Sequence, residues 1–305
     1  MTEKQQSNIR TVLAIALCVV LAALVILSGS KHSVRIHNIP VFALAGVLPF
    51  LLHWLMFLPA YAFQTEHYFD LTGAVSFIAA ILLGNWAITS MALTPGMRTQ
   101  LLSLMVLTWA LRLGSFLFLR VKRAGEDRRF RDIKQRPLRF LLTWTLGGLW
   151  VLITVAPALA AISSSHSVPM GPLAYAALAL WGIGLMLEVV ADRQKSAFRA
   201  NPDNRRRFIH TGLWALSRHP NYLGEIMLWL GVALLAAPAL QGWQYGTLIS
   251  PFFVILLLCK VSGIPLLEAR AEQTWGHDPE YRRYVQQTPV LIPFLRGRHR
   301  ENHQE

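Results

Sequence analysis

The most unusual polar residues of the sequence lie in SRHPNYLGEIMLWLGVALLAAP, Ser217 to Pro238, a segment that otherwise predicts a membrane-spanning helix. Asn221 and Glu225 are four residues apart, so their side chains lie on one face of that helix. A carboxylate in hydrocarbon costs roughly 2.5–3.5 kcal/mol on insertion scales unless it has a partner. An amide and a carboxylate together suit a ligand that presents amide or hydroxyl donors. The structural alternative is a helix cap with a first-turn acid that the helix dipole favours.

A second polar stripe lies in LEVVADRQKSAFRANPDNRRRF, Leu187 to Phe208. Its four charged residues recur at helical spacing: Glu188, Asp192, Lys195 and Arg199. The stripe predicts either a solvated face with ion pairs or a site at the membrane surface. The arginines at 205–207 follow it closely, and arginines at such a position suit the phosphates of a ligand. Attraction to anionic lipid explains them equally well.

A third segment, WALRLGSFLFLR, carries two arginines inside an apolar run. Arg112 and Arg120 are eight residues apart and therefore lie on roughly the same helical face. A buried arginine needs a carboxylate, phosphate or carbonyl partner. Either a ligand or an internal ion pair near the headgroups would provide one.

The composition indicates the environment in which these residues act. Of 305 residues 54% are hydrophobic and only 15% charged, with a mean hydropathy of +0.41, whereas soluble domains carry about 25% charged residues. The net charge of +13 comes from residues between apolar runs, so it indicates membrane topology rather than nucleic-acid binding. Cys18 and Cys259 lie inside apolar runs without metal-ligand spacing, so they indicate nothing about a disulfide, and we predict no metal site.

Apolar windows predict an all-α polytopic membrane bundle of seven to eight helices. The windows cover residues 11–29, 40–63, 72–93, 99–120, 139–161, 171–190, 222–240 and 246–267. The first window resembles a signal peptide, but it has no strong cleavage site and further spans follow it, so we predict a retained helix.

The loops predict an orientation for this bundle. The segments 120–139 and 192–210 are dense in arginine and lysine, whereas 163–172 and 241–246 contain neither. The positive-inside rule therefore puts the N-terminus, the basic loops and the C-terminus in the cytoplasm. Lys31 and Arg35 would then face outward, a mild exception. We interpret residues 1–305 as one membrane domain, and no feature indicates an oligomeric state.

The ordered motifs of the C-terminal half resemble those of the steroid 5α-reductase superfamily, in particular its bacterial membrane branch. The residues that carry the resemblance are WALRLGSFLFLR…GEDRRF, ADRQ…FR, TGLWALSRHPNYLGE and SGIPLLE…PEYRRYVQQTPVLIPF, within residues 99–293. Residues 1–65 form N-terminal helices without a motif of that family. The resemblance implies a bacterial inner-membrane protein that holds NADPH in a cytoplasm-facing cavity. It also implies reduction of a carbon–carbon double bond conjugated to a carbonyl, in a steroid or isoprenoid.

The resemblance also assigns roles to single residues. Asn221 and Glu225 match the residues beside the nicotinamide, and Tyr284 matches a tyrosine that contacts the cofactor near the C-terminus. We count seven further residues of the same motifs as cofactor-binding or polar positions of that site: Arg112, Arg120, Glu188, Asp192, Arg199, His219 and Tyr222. The expected partners are a hydrophobic small molecule and membrane lipid.

The catalytic positions depart from those of the well-studied steroid reductases, which use a glutamate and a tyrosine. The tyrosine position, near Arg112, holds Trp109 or a neighbour, and the glutamate position falls near EHYFDLTG. Asp70 is the best-placed acid there and Tyr68 the second candidate. Asp70 could instead be the N-cap of the following helix.

Two other functions are compatible with the sequence. Isoprenylcysteine carboxyl methyltransferases and their relatives also have a GL-x6-RHP-x-Y signature, and they bind S-adenosylmethionine. Asn221, ADRQ…FR and WALRLG favour the reductase. The third possibility is a membrane protein that binds lipid without catalysis.

Overall fold

Helices make up nearly all of the computed structural model, which describes residues 3–127 and 130–293. Arg128 and Arg129 of the basic loop, and the basic C-terminal segment from residue 294, lie outside the described residues. The helices are α1 Glu3–Ser30, α2 Val41–Ala62, α3 Phe69–Ser90, α4 Met97–Ala124, α5 Pro137–Ile162, α6 Pro172–Ala200, α7 Pro220–Ala236, α8 Ser250–Leu256, α9 Ile264–Trp275 and α10 Pro279–Gln287. Strands β1 Arg35–Ile36 and β2 Ile39–Pro40 form one short hairpin.

The described residues contain eight helical segments long and apolar enough to cross a membrane. They include a first span, Gln5–Ser30, and a last one, Gly242–Trp275. The prediction of an all-α polytopic bundle with seven to eight spans is confirmed, and the protein is an integral membrane protein.

Two segments differ from the windows read from hydropathy. Helix α6 continues beyond residue 190 to Ala200, because its polar stripe keeps helical spacing after the apolar run has ended. The last window is interrupted: a π-helical turn, Leu257–Val261, separates α8 from α9. Pro265, in the first turn of α9, favours a new helix at that point.

The described residues fall into two compact units. Unit 1 consists of the described residues within 1–175 and 232–250, and unit 2 of those within 176–231 and 251–305. In unit 1, α5 is the central helix, since 89% of its apolar window is buried and it packs against α1, α2, α3 and α4.

One end of unit 1 is closed by contacts between distant parts of the chain. The backbone N–H of Val34 donates to the Ser163 carbonyl at 2.8 Å, which attaches the hairpin to the end of α5. Arg98, the second residue of α4, is buried. Its guanidinium donates to the carbonyls of Leu235 at 2.5 Å and Pro169 at 2.9 Å.

Candidate functional site

Helices α6 and α7 of unit 2 are packed backbone to backbone through glycines. A Cβ added at Gly224 would lie 2.5 Å from the Gly184 carbonyl oxygen and 2.7 Å from the Glu188 nitrogen. A Cβ at Gly231 would lie 2.8 Å from the Ala177 carbonyl oxygen. The contact on α6 shifts from Gly184 back to Ala177 as the contact on α7 advances from Gly224 to Gly231. The two helices are therefore antiparallel. Gly224 therefore allows the close approach of another backbone.

This close packing places the polar residues of the two helices opposite each other. Glu188 and Asp192 are 2% and 7% exposed, and the Asn221 amide donates to Asp192 Oδ1 at 3.4 Å. Glu225 follows Asn221 by one turn on α7. Pro220 begins α7, so Asn221 lies in its first turn. Two predicted cofactor-binding pairs, one from each helix, are thus brought together. Glu188 and Asp192 are buried, where carboxylates require compensation, whereas Asn221 and Glu225 are half-buried.

Arg218 and His219, immediately before the start of α7, form a second polar group with Glu268. The sequence analysis did not select Glu268 as a site residue. Glu268 Oε1 on α9 lies 2.9 Å from Arg218 Nη1 and 3.2 Å from His219 Nε2. Burial lowers the pKa of His219, although the hydrogen bond to Glu268 acts in the opposite direction. The Tyr222 ring is stacked on His219 at 5.7 Å between centroids. Glu268 is the last residue of the SGIPLLE motif, and that motif could have identified it as a candidate site residue.

Tyr284 on α10 holds the segment that precedes α7. Its hydroxyl donates to the Trp214 carbonyl at 2.7 Å, while the Trp214 indole N–H donates to the Ala191 carbonyl on α6 at 3.1 Å. Lys195 Nζ lies 4.3 Å from the centroid of the Trp214 ring, a cation–π contact. Burial raises the pKa of Tyr284, so the hydroxyl stays protonated and keeps donating at ordinary pH.

The basic residues near this group are exposed. Arg199, at the end of α6, and the arginines at 205–207 are all on the surface of unit 2. The Arg206 backbone carbonyl accepts from the Trp275 indole N–H at 2.7 Å, which holds the backbone of the cluster and leaves its side chain at the surface. The donor set of unit 2 therefore combines guanidinium groups with amide and carboxylate groups.

Unit 1 contains a small apolar pocket with a cavity volume of about 30 Å³. It is formed by α2, α3, α4 and α5. The lining residues are His53, Phe69, Asp70, Gly73, Ala74, Phe77, Trp109, Ala110, Leu113, Gly114, Leu117, Gly147 and Trp150. Asp70 and His53 are the two titratable groups among them. Trp109, which stands near the expected tyrosine position, is buried and packs edge-on against Phe77 at 5.2 Å.

Asp70 lies in the first turn of α3, whose N-cap position is Tyr68 without a side-chain cap. Asp70 Oδ2 lies 4.0 Å from Arg120 Nη2, and the Arg120 side chain is 47% exposed. Arg112 lies on the same helix as Arg120, with its guanidinium 5.5 Å from the centroid of the Phe116 ring. Tyr68 is about half exposed and stacks on Phe118 at 6.4 Å. Asp70 is therefore not the N-cap residue of α3, and it lies at ion-pair distance from Arg120.

Glu66, the other acid of EHYFDLTG, is held by contacts with other residues of the protein. It is buried, pairs with Lys134 Nζ at 2.8 Å and accepts from the Asp127 backbone N–H at 2.9 Å. These contacts attach the segment before α3 to the loop before α5. Asp70 is the acid of this segment that lines the pocket.

The predicted site residues thus fall into two groups. Unit 2 contains Glu188, Asp192, Arg199, His219, Asn221, Tyr222, Glu225 and Tyr284, and unit 1 contains Tyr68, Asp70, Arg112 and Arg120. Within the described part of the chain, no group of three or more His, Cys, Asp or Glu side chains is placed to hold a metal ion.

The protein is similar to several curated proteins. They include a Delta(14)-sterol reductase of Gibberella zeae, 29% identical over 43% of this chain and 35% of the relative. The 3-oxo-5-alpha-steroid 4-dehydrogenase 1 of Bos taurus is 29% identical over 38% of this chain and 40% of the relative. A probable O-methyltransferase of Ustilaginoidea virens is 35% identical over 25% of each chain. The chain thus spans at most two fifths of the length of these relatives.

No solved structure matches the chain. Residues 56–288, well over half of the sequence, match the family described as "Protein of unknown function (DUF1295)". The chain therefore belongs to the DUF1295 family, within the steroid 5α-reductase superfamily.

Proposed function

We propose that the protein is an NADPH-dependent membrane reductase of a carbon–carbon double bond conjugated to a carbonyl, in a steroid-like or isoprenoid molecule. The observation that carries this proposal is the apolar pocket of unit 1, in which Asp70 is the carboxyl group. A pocket of this kind suits a hydrophobic molecule with one polar reacting group. Superfamily membership and the sterol reductase and steroid dehydrogenase among the relatives support the same class of reaction.

The donor set of unit 2 fits NADPH. The nicotinamide carboxamide has two N–H donors and one carbonyl acceptor, which complement the carboxylate of Glu225 and the amide of Asn221. Arg199 and the arginines at 205–207 are exposed guanidinium donors of the kind that bind phosphates in a bidentate manner. When bound, NADPH supplies the hydride for the β-carbon of the enone. In this proposal residues 99–293 contain the cofactor-binding part of a single membrane domain.

The residues of unit 1 stabilise the charge that develops on the substrate. Hydride addition to an enone places negative charge on the carbonyl oxygen, and a donor in a dry site stabilises it strongly. Asp70 provides that donor directly, or through Tyr68 or a water molecule. Arg120, 4.0 Å from Asp70, balances the charge of the carboxylate while Tyr68 or water donates.

We place the protein in a bacterial inner membrane, with the N-terminus, the basic loops and the C-terminus in the cytoplasm. The basic segments 120–139 and 192–210 support this orientation. It allows a soluble nucleotide to reach the arginines of unit 2, while a hydrophobic substrate arrives through the lipid.

Ligand-induced thermal stabilisation of the detergent-solubilised protein tests the cofactor. NADPH at 100 times its Kd should add about 2.7 kcal/mol to the free energy of unfolding, and NADH should bind more weakly because it lacks the 2′-phosphate. Replacing all three of Arg205, Arg206 and Arg207 by glutamine should remove the preference for NADPH. Transfer of deuterium from labelled NADPH into an enone then tests the reaction, and its absence across a broad enone panel would contradict it.

A methyltransferase is the second candidate, because a probable O-methyltransferase is among the relatives and because RHPNY fits that signature. Stabilisation by S-adenosylmethionine, with none by NADPH, would favour it over the reductase.

A further inference from the structure

Unit 1 has one end that carries basic residues and no acid. This hairpin end consists of residues 31–40, 163–171 and 237–249. Its exposed basic side chains are Lys31, His32, Arg35, His37 and His166. The same three segments contain no aspartate or glutamate. The hairpin end therefore presents cations to its surroundings without carboxylates between them.

The described acids of unit 1 lie at the opposite end of its helices. Helix α2 begins at the hairpin and rises about 33 Å over its 22 residues before the chain reaches Glu66 and Asp70. Charges in water are screened beyond about 8 Å at physiological ionic strength, so these carboxylates do not neutralise the hairpin end. The buried Arg98 adds to its positive charge, because the guanidinium donates to the carbonyls of Pro169 and Leu235.

The turn of the hairpin holds its basic side chains at defined positions. Its two residues, His37 and Asn38, have φ of 47° and 66°, and positive φ at both is what a two-residue type I′ turn requires. A histidine at positive φ is uncommon and costs free energy, which a functional role can explain. Arg35 Nη1 donates to the Asn38 carbonyl at 3.0 Å, and most N–H donors of this guanidinium remain for a ligand.

Exposed aromatic residues place the hairpin end at the depth of lipid headgroups. Trp243 is 74% exposed and Tyr245 52%, and both residue types concentrate at membrane–water interfaces. The Trp243 carbonyl accepts from Ser28 Oγ at 2.5 Å, so Trp243 lies beside the end of α1. The His32 ring lies against Gly242, where a Cβ would be 3.0 Å from Nε2. The aromatic residues and the cations therefore share one level of the protein.

We propose that the hairpin end is a docking surface for the headgroups of anionic phospholipids, with Lys31 and Arg35 as the cations that bind the phosphate. Ammonium and guanidinium groups bind phosphate oxygens through charge-assisted hydrogen bonds, and no carboxylate of these segments competes for them. The surface is separate from the pocket and does not depend on the proposed reaction. It also gives a reason for the two basic residues that are exceptions to the positive-inside rule.

Hydrogen exchange of the hairpin tests the proposal, because it reports on this surface alone. The detergent-solubilised protein is titrated with phosphatidylglycerol or with phosphatidylcholine, and exchange is followed in the peptide that contains residues 31–42. Phosphatidylglycerol should protect this peptide at about 25-fold lower concentration, since each of the two basic residues contributes about 5-fold. Replacing both residues, Lys31→Gln with Arg35→Gln, should remove the difference between the two lipids.

Two further variants separate charge from structure. Arg35→Lys keeps the charge and changes the hydrogen bond to Asn38, so it should retain the preference for phosphatidylglycerol. Lys122→Gln with Arg123→Gln removes two exposed cations from the last turn of α4, at the other end of unit 1, and should leave protection of the hairpin unchanged.

Several results would overturn the proposal. They are equal protection by the two lipids in the native protein, loss of the preference in Arg35→Lys, and an equal loss in the α4 variant. Protection by inorganic phosphate at the same concentration as phosphatidylglycerol would identify a site for a soluble anion instead. Should the double variant fail to fold, Lys31→Gln and Arg35→Gln are measured singly; each should raise the midpoint for phosphatidylglycerol by about 5-fold, and unchanged midpoints would contradict the proposal.

Discussion

The pocket of unit 1 and the α6–α7 pair of unit 2 both depend on glycines, which have different effects in the two regions. In unit 1, Gly73, Gly114 and Gly147 line the pocket, and side chains of neighbouring helices take the place of a Cβ, Ala74 at Gly114 and His53 at Gly147. In unit 2, Gly184 and Gly224 leave no space, because the two helix backbones occupy it.

The difference determines what surrounds the polar groups. In unit 2 the polar side chains of one helix lie against those of the other, as the Asn221–Asp192 hydrogen bond shows. In unit 1 two titratable groups line a largely aromatic and aliphatic pocket. Substitutions in the pocket should therefore alter turnover and selectivity, whereas substitutions in the helix pair should alter cofactor affinity and stability.

The largest effect is expected at Asp70. Asp70→Asn should lower turnover by about 10²-fold or more, the usual scale for a positioned acid, and should spare NADPH binding. The measurement is NADPH oxidation at saturating enone. Glu66→Gln is the matched control, since Glu66 is an acid of the same segment bound to Lys134; it should lower the unfolding temperature instead. Unchanged turnover in Asp70→Asn would remove Asp70 from the mechanism.

A smaller effect is expected at Glu225. Glu225→Gln keeps the shape and replaces an acceptor by a donor, so NADPH affinity should fall by about 1.5–3 kcal/mol, with normal stability of the protein without ligand. Titration of NADPH measures it, and Glu272→Gln, an exposed acid of α9, is the control. Intact affinity together with lowered stability would identify Glu225 as a structural residue.

The packing of the helix pair predicts opposite results for two glycines. Gly224→Ala should destabilise the protein by about 1–3 kcal/mol, the range for overpacking, because the new Cβ meets backbone atoms of α6. Gly182→Ala, with nothing within 4 Å of its Cβ, should stabilise by up to about 1 kcal/mol through helix propensity. Thermal or denaturant unfolding distinguishes them. Equal effects of the two substitutions would show that the backbones are not in contact.

The smallest effect is the pH dependence due to His219. Burial lowers its pKa in the folded protein, so below about pH 6.5, the ordinary value, the unfolded chain binds the proton first. Stability should fall as pH decreases from 7 towards 5, by less than about 1.4 kcal/mol per pH unit for one proton. Unfolding of native protein and His219→Gln across that range measures the difference. The nearby charges of Glu268, Arg218 and Lys195 are common to both proteins, and parallel curves would refute the assignment.

Periodicity was sufficient to predict what each helix carries. The apolar windows located the eight spans, and the i, i+4 spacings of Glu188 with Asp192 and Asn221 with Glu225 placed each pair on one face of its helix. These properties depend on neighbours within a turn or two, which the sequence displays directly.

Contacts between distant segments left no such signal. His53 belongs to an N-terminal region without a motif, and its ring packs against Gly147 on another helix. Glu268 contacts Arg218 and His219, and 49 positions of sequence separate it from His219. Which residues face each other depends on how the helices pack. A single sequence shows the rows of side chains on each helix but not the helix against which each row packs.

The buried Arg98 has a consequence for the order in which the protein is made. Its partner carbonyl at Leu235 is 137 residues later in the chain, and synthesis proceeds from the N-terminus. Unit 1 is likewise interrupted in sequence, with Ala176–Gly231 of unit 2 between its two parts. While the ribosome produces the intervening residues, the Pro169 carbonyl is the acceptor available to the guanidinium. The contacts at the start of α4 are completed only when α7 has emerged, so a protein truncated before Leu235 lacks one of the two carbonyls that Arg98 binds.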